Sequence, residues 1–531
     1  MQIFKDYISL LVEFKIEKNK LTAILGEDTK LRHFYEGVAH KTMTTEDEAA
    51  AVIYGQGVTA SDANFRRLKT DLKKKLQQLL LMIDFSQHKA FNDYQKAGYS
   101  TFKNLAIFKT LRGRSKRSAT ADIAKQIFED ASHHGFTDAI LWSAEYLKTH
   151  HGRVDVDEKK RVLYTAAYST ALDAFYAEKK AEFFVDDFIR HFVKKKATQK
   201  WLEPQLIERC GILDSFDSID SPTFITQSGL MHIYRYLVIN DYKRALPECN
   251  KYIAQLEARP TLHKGGLATL LQQKIVCCMM LKQFDEAVAI GLRSRDLAIK
   301  GQHNWYNNCI ILMQLYIRRE DLDKAWVVYQ EALGHENFKS QTEATQETVS
   351  LYGAHLSWFI GTQSLSVAKE DHEAAQNFKV QRFMNDLSIL SSDKSGMNIP
   401  VLLLQILHLF STNKYDAISE RLEAVRKYQS RYAGEDTDTR LKALVRLLEI
   451  ADSDAYNYKT LDKDPKIAEL HDFLIGTVAD IENMNHQTEV IAYENYWTYA
   501  DRFMRGKHPV LKNRAFKPLV SDFFELINAK Y

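Results

Sequence analysis

A chain of 531 residues that is 45% hydrophobic, 27% charged and 11% aromatic has globular composition. That excludes wholesale disorder and leaves room for about three domains or one long repeat array. Its 72 basic and 69 acidic residues leave a net charge of +3, which excludes a chain-wide nucleic-acid coat but not a local basic patch.

The opening segment, MQIFKDYISLLVEFKIEKNK, carries Lys5, Asp6 and Glu13 where a secretory signal would be apolar. The greasiest stretch, VLLLQILHLF at 401–410, is interrupted by Gln405 and His408. It falls well short of the ~20 apolar residues a membrane helix needs. Cys210, Cys249, Cys277, Cys278 and Cys309 form no C-x-x-C pair, so reduced thiols and a cytoplasmic protein without membrane contact are expected. The vicinal Cys277 and Cys278 read as small core residues, because neighbours on a helix point about 100° apart.

The first proline is Pro204. The proline-free stretch before it is rich in Leu, Ala, Lys and Glu, and no alternating β-branched run occurs. The fold class is therefore expected to be all-α. Residues 61–84 place Phe65, Leu68, Leu72, Leu76, Leu79, Leu80 and Ile83 on one helical face, with Ser61 or Asp62 as cap. The other face carries Arg66, Arg67, Lys69, Lys73, Lys74 and Lys75 against Asp71 alone. Preceded by EAAAVIYGQGVTASDANF (48–65), it is loosely like a helix-turn-helix reading head, and several cations could neutralise nucleic-acid phosphates. A solvated amphipathic face is the competing explanation. Another basic run, RGRSKR at 112–117, follows.

Helices are expected at 118–133 and 136–150, each stopped by His-His-Gly: His133, His134 and Gly135, then His150, His151 and Gly152. Four imidazoles could in principle gather a metal, but capping explains the pattern, and no metal or cofactor is expected. Residues 155–200 predict one or two long helices with Tyr164, Tyr168, Phe175, Tyr176 and Phe183 as core. Lys194, Lys195, Lys196 and Lys200 mark a helix end.

From residue 227 the chain repeats itself. NDYKRALPECNKYI (240–253), KQFDEAVAIGLRS (282–294), EDLDKAWVVYQEAL (320–333) and NKYDAISERLEAV (413–425) each open on a polar turn. An anchor follows (Tyr242, Phe284, Leu322, Tyr415), then a small or aliphatic residue three positions on (Ala245, Ala287, Ala325, Ile418). Allowing a degenerate unit near Ala374, the spacing suits stacked helical hairpins like tetratricopeptide (TPR) repeats. Pro247 should kink the helix it lies in. The expected divisions are an N-terminal helical region at 1–90, hairpins and long helices at 91–226, TPR-like repeats at 227–460 and capping helices at 461–531.

The runs FMNDLSILSSDKSGMNIPVLLLQILHLFSTNKYDAISERLEAVRKYQSRY (383–432) and FRRLKTDLKKKL (65–76) resemble a family of uncharacterised bacterial helical-repeat proteins. The resemblance extends over about residues 50–500 and is most specific in the loop from Asp393 to Pro400. It implies an α-solenoid of TPR-like hairpins and no chemistry. The same loop reads as a turn at Gly396, a cap at Asn398 and a helix start at Pro400.

Neither a phosphate-cradling glycine loop nor an H-E-x-x-H or G-x-S-x-G motif occurs. Arg502 and His508 loosely resemble a helical ribonuclease motif, but Gly506 and Pro509 place them at a helix end. No catalytic residue is assigned. The expected function is a non-enzymatic interaction scaffold whose concave face binds a protein or peptide through Gln272, Asn307, Ile310 and Gln314. The alternative is a nucleic-acid-binding regulator that reads through Arg66, Arg67, Lys69, Lys73 and Lys74.

Overall fold

The computed structural model describes residues 1–85, 91–194, 200–362, 364–365, 398–432, 439–476 and 489–506. Among them are twenty-three α-helices, three short 3-10 turns and no strand. None of the helices is long and apolar enough to cross a membrane. The chain divides into two compact units, residues 1–172 and 173–531.

The first unit begins with α1 (Gln2–Glu13), α2 (Lys18–Leu25), α3 (Lys30–Ala39), α4 (Glu46–Tyr54) and α5 (Ala63–Leu81). α5 packs on α1, α2 and α3, while α4 packs on α3. Asp62 caps α5 by accepting from the amides of Asn64 (2.8 Å) and Phe65 (3.2 Å), which satisfies donors that have no partner inside the helix. Of the seven residues predicted for its apolar face and the chain just beyond, all but the half-buried Leu80 are buried.

Next come α6 (Asp93–Gly113), α7 (Arg117–His134) and α8 (Thr137–Arg153), joined by tight turns and packed on a core that includes Phe108, Ile127 and Leu147. Gly135 ends α7 in the left-handed conformation (φ 76°), as its sequence predicts. Gly152 does not stop α8, which continues to Arg153. His151 closes that end instead: it is buried, its Nδ1 lies 3.1 Å from the carbonyl of Asp155, and its ring stacks on Tyr164.

The long helix α9 (Glu158–Lys194) contains the division between the units, and its buried stripe differs from the predicted one. Tyr164 is buried, but Tyr176 and Phe183 are 57% and 58% exposed. The second unit instead buries Ala177, Ala181, Phe184, Val185 and Phe188. Aromatic content alone does not choose the edge: the buried stripe carries Phe184 and Phe188 as well, set beside the alanines Ala177 and Ala181. Lys195 and Lys196 lie outside the described residues.

The second unit continues with α10 (Glu203–Asp214), α11 (Pro222–Leu237), α12 (Tyr242–Glu257), α13 (Lys264–Met280), α14 (Phe284–Leu297), α15 (His303–Arg318), α16 (Leu322–Leu333) and α17 (Glu343–Gly361). Each packs against the next. Pro247 lies inside α12, which runs unbroken from Tyr242 to Glu257. The segment around Ala374 and the loop from Asp393 to Met397 lie outside the described residues.

Beyond them are α18 (Asn398–Ser411), α19 (Ile418–Tyr432), α20 (Thr439–Ser453), α21 (Tyr458–Leu461), α22 (Pro465–Gly476) and α23 (Tyr493–Met504). α23 packs on α18, α20 and α22 and buries Tyr493, Tyr496, Trp497, Tyr499, Ala500, Phe503 and Met504. Its other face carries Glu494, Asn495, Thr498, Asp501 and Arg502, none of them buried. Gly506, in the left-handed region at φ 65°, follows it; His508 and Pro509 lie outside the described residues.

Candidate functional site

The four repeated segments share one turn. Asn240, Lys282, Glu320 and Asn413, each two residues before its anchor, adopt left-handed φ values of 57°, 57°, 62° and 55°. The following amide then donates to the carbonyl five residues back. Asp241 donates to Tyr236 (3.0 Å), Gln283 to Cys278 (2.8 Å), Asp321 to Tyr316 (2.9 Å) and Lys414 to Leu409 (3.0 Å). This is the Schellman closure, which satisfies carbonyls left over at a helix end. Two units add a side-chain clasp: the anchor hydroxyls of Tyr242 and Tyr415 donate to the Oδ1 atoms of Asn240 (3.0 Å) and Asn413 (3.3 Å). The small or aliphatic residues three places after the anchors, Ala245, Ala287, Ala325 and Ile418, are all fully buried.

Glycines set the closest approaches between these helices. A Cβ on Gly229 of α11 would sit 2.7 Å from Cγ of Tyr252 on α12, and one on Gly291 of α14 would sit 2.8 Å from Leu312 on α15. At Gly353 of α17 it would meet the ring of Tyr329 on α16.

The predicted partner-binding residues separate in this frame. Asn307 and Ile310 are half-buried on the same side of α15, and the Asn307 amide lies 3.2 Å from Nε2 of His303. Gln272 is half-buried on α13. Gln314 is only 5% exposed and so does not belong to an open surface. The reason lies at the C-terminal end of α15, which other parts of the unit cover. Arg318 donates from Nε (3.1 Å) and Nη2 (2.6 Å) to the carbonyl of Glu489, and Tyr499 donates to Glu320 (2.9 Å). The accessible part of α15 is its N-terminal half, from His303 to Ile311.

The covering region is held by a buried ionic cluster that sequence reading missed. Arg440, 1% exposed, donates to Oε1 of Glu489 at 2.9 Å, to Glu494 and to the carbonyl of Leu474. Burial alone would raise the Glu489 carboxyl, but the Arg440 and Arg318 guanidiniums hold it below the usual range. Nothing in local periodicity marks Arg440, since its partners lie 34 to 54 positions away.

A second missed cluster joins α10, α11 and α12. The Nε2 atom of His232 lies 3.0 Å from Oδ1 of Asp214, and its Nδ1 lies 2.9 Å from the carbonyl of Ser228 and 3.0 Å from the hydroxyl of Tyr252. Acid, imidazole and hydroxyl in series are the parts of a nucleophile relay. Here, however, Ser228 and Tyr252 are buried, and burial pushes the Tyr252 hydroxyl well above its ordinary value. The arrangement can hold three helices together but presents no nucleophile to a substrate. The cysteines are likewise buried, with the thiols of Cys210, Cys278 and Cys309 pushed up to about 12, chiefly by burial. Among the described residues no group of three or more His, Cys, Asp or Glu could hold a metal ion.

On α5, Arg66, Arg67, Lys73 and Lys74 are exposed, whereas Lys69 is half-buried and tied to Glu46 at 2.5 Å. Eight residues separate α4 from α5, a longer connection than the three- or four-residue turn of a helix-turn-helix. Tyr54 and Lys69 nevertheless tie the two helices together: the Tyr54 ring lies edge-on to Phe65, and Lys69 pairs with Glu46.

Compared with known proteins, the chain matches no family model, no curated protein and no solved structure.

Proposed function

We propose that the chain is a non-enzymatic interaction scaffold. Its hairpins, α11 with α12, α13 with α14, α15 with α16 and α18 with α19, stack as a TPR-like solenoid, and the outer faces of the first helices take up a protein or peptide partner. The observation that carries this reading is the recurrence of one Schellman turn, at the same offset from an anchor and a fully buried small or aliphatic residue, in four segments of otherwise different sequence. Helical hairpins of this kind cannot bury their apolar faces singly, and stacking supplies the shared core. The contact surface is the N-terminal half of α15, around Asn307 and Ile310, together with Gln272 on α13. Amides and an aliphatic side chain on rigid helices suit an extended peptide or a partner helix, giving directional hydrogen bonds beside an apolar contact.

The test is affinity capture from a native lysate with the wild type and an Asn307→Asp/Ile310→Glu variant of unchanged melting temperature. Loss of a discrete partner from the variant supports the proposal. Identical partner sets from both proteins count against this surface.

A further inference from the structure

We propose that the first unit binds the phosphodiester backbone of a nucleic acid through the solvent face of α5, independently of the scaffold reading of the second unit. α5 buries Phe65, Leu68, Leu72, Leu76 and Leu79, and the opposite face presents Arg66, Arg67, Lys73 and Lys74, all exposed. Among the described residues none of these four side chains makes an ion pair or hydrogen bond. Asp71 is the only acid within the helix.

Folding alone gives no reason for this arrangement. Arg66 stands in the first helical turn, where the backbone dipole favours negative charge; the acid at this end is the Asp62 cap, whose carboxylate is already taken up by the Asn64 and Phe65 amides. Arg66 and Lys73, like Arg67 and Lys74, are seven residues and so about 10 Å apart along the axis. The result is a short ladder of uncompensated cations, which an anionic polymer would relieve by exchanging its condensed counterions for them.

Two comparisons narrow the partner. The basic stretch around the α6–α7 turn is partly used internally: Lys109 lies 3.3 Å from the centroid of the Trp142 ring, and Arg112 donates to Glu145 at 3.4 Å. On α5, Lys69 is likewise paired with Glu46, but Arg66, Arg67, Lys73 and Lys74 have no such partners among the described residues. A membrane-surface helix would interleave Leu, Phe or Trp with its cations, whereas the other exposed residues between Arg66 and Lys74 are Thr70 and Asp71, the flanking ones include the amides Asn64 and Gln78, which hydrogen-bond phosphates or base edges, and the exposed Leu81 stands at the helix end beyond the cations.

The experiment is fluorescence anisotropy of the full-length chain with labelled duplex DNA and a labelled RNA hairpin over a salt series. Binding to at least one probe should weaken steeply as salt rises. Arg66→Ala/Lys73→Ala should lower the log–log salt slope by about 2 and weaken binding roughly 60-fold near 0.1 M salt, since each lost phosphate contact removes about 0.9 of slope. The Arg66→Gln/Lys73→Gln pair, which keeps side-chain length, should do the same. Arg114→Ala/Lys116→Ala, a charge-matched change on the α6–α7 turn, should leave both quantities unaltered. The tighter probe identifies DNA or RNA as the source of the backbone. Absence of salt-dependent binding to both probes would overturn the proposal. So would equal losses in the α5 and α6–α7 variants, or tighter binding to phosphatidylserine vesicles than to either nucleic acid.

Discussion

The closest helix approach in the first repeated hairpin makes Gly229 a sharp test of the packing. In Gly229→Ala a new Cβ would stand 2.7 Å from Cγ and 2.9 Å from Cβ of Tyr252. These atoms are at the root of the tyrosine, so rotating the ring away does not relieve the clash and the α11 and α12 backbones must separate. Such overpacking costs about 1–3 kcal/mol. Displacing Tyr252 also strains its 3.0 Å hydrogen bond to His232, worth about 1 kcal/mol. Against these stands the helix-propensity gain of Gly→Ala, about 1 kcal/mol. The balance is a net destabilisation of about 2 kcal/mol. Gly211→Ala on α10 is the control, because a Cβ there meets nothing within 4 Å and only the propensity gain of about 1 kcal/mol remains. Native-state hydrogen exchange reads both changes locally. Amides of α11 and α12 should exchange roughly thirtyfold faster in Gly229→Ala, and those of α10 no faster in Gly211→Ala. Equal, slightly slowed exchange in both variants would refute the close approach of α11 and α12.

Asn413→Ala should destabilise the second unit by about 1 kcal/mol and Asn413→Gly by much less, because only the former must force an L side chain without local hydrogen-bonding capacity into φ 55°; urea midpoints of the two variants check this. Arg440→Met, which strands the buried Glu489, should cost about 3–5 kcal/mol, while adding Glu489→Leu should recover much of the loss, as thermal melts of the single and double variants would show. The imidazole of His355 is 2% exposed and its pKa is depressed to about 4 by burial, against the opposing pull of its 2.8 Å contact with the Leu351 carbonyl. Its folded pKa lies below the unfolded value near 6.5, so its contribution is fully present above pH 6.5 and is lost as pH falls toward 4. That amounts to about 3 kcal/mol at the acid end. His355→Gln should flatten this part of the stability profile, and an unchanged acid limb would contradict it.

Much of the fold was legible because helices write their periodicity locally. The α5 face, the Asp62 cap and the Gly135 stop follow from residues within one or two turns of each other. The helix starts at Tyr242, Phe284 and Leu322 were legible for the same reason, although the left-handed residue two places before each, and before Tyr415, was not, since Asn, Lys, Glu and Asn share no pattern that marks φ > 0. What the sequence did not reveal depends on distant neighbours. α9 carries aromatics on more than one face, Tyr176 and Phe183 on an exposed one and Phe184 and Phe188 beside Ala177 and Ala181 on the buried one, and only the packed helices decide which is covered. Gln314 looks like its surface-facing neighbours until the Arg318–Glu489 and Glu320–Tyr499 contacts cover the end of α15. Arg440 and His232 are ordinary polar residues on helices whose importance comes entirely from partners many positions away. The residues of the proposed contact surface, Gln272, Asn307 and Ile310, were selected by register alone; all three are half-buried, with Ile310 packed against the core.

The most direct measurement is photo-crosslinking from a reactive residue at position 307 in the full-length chain, in cell extract, with and without Ile310→Glu. The scaffold account predicts a discrete protein adduct that disappears with the second substitution. Adducts indistinguishable from those formed by a probe on the far side of the hairpin, at exposed Val327, would contradict it.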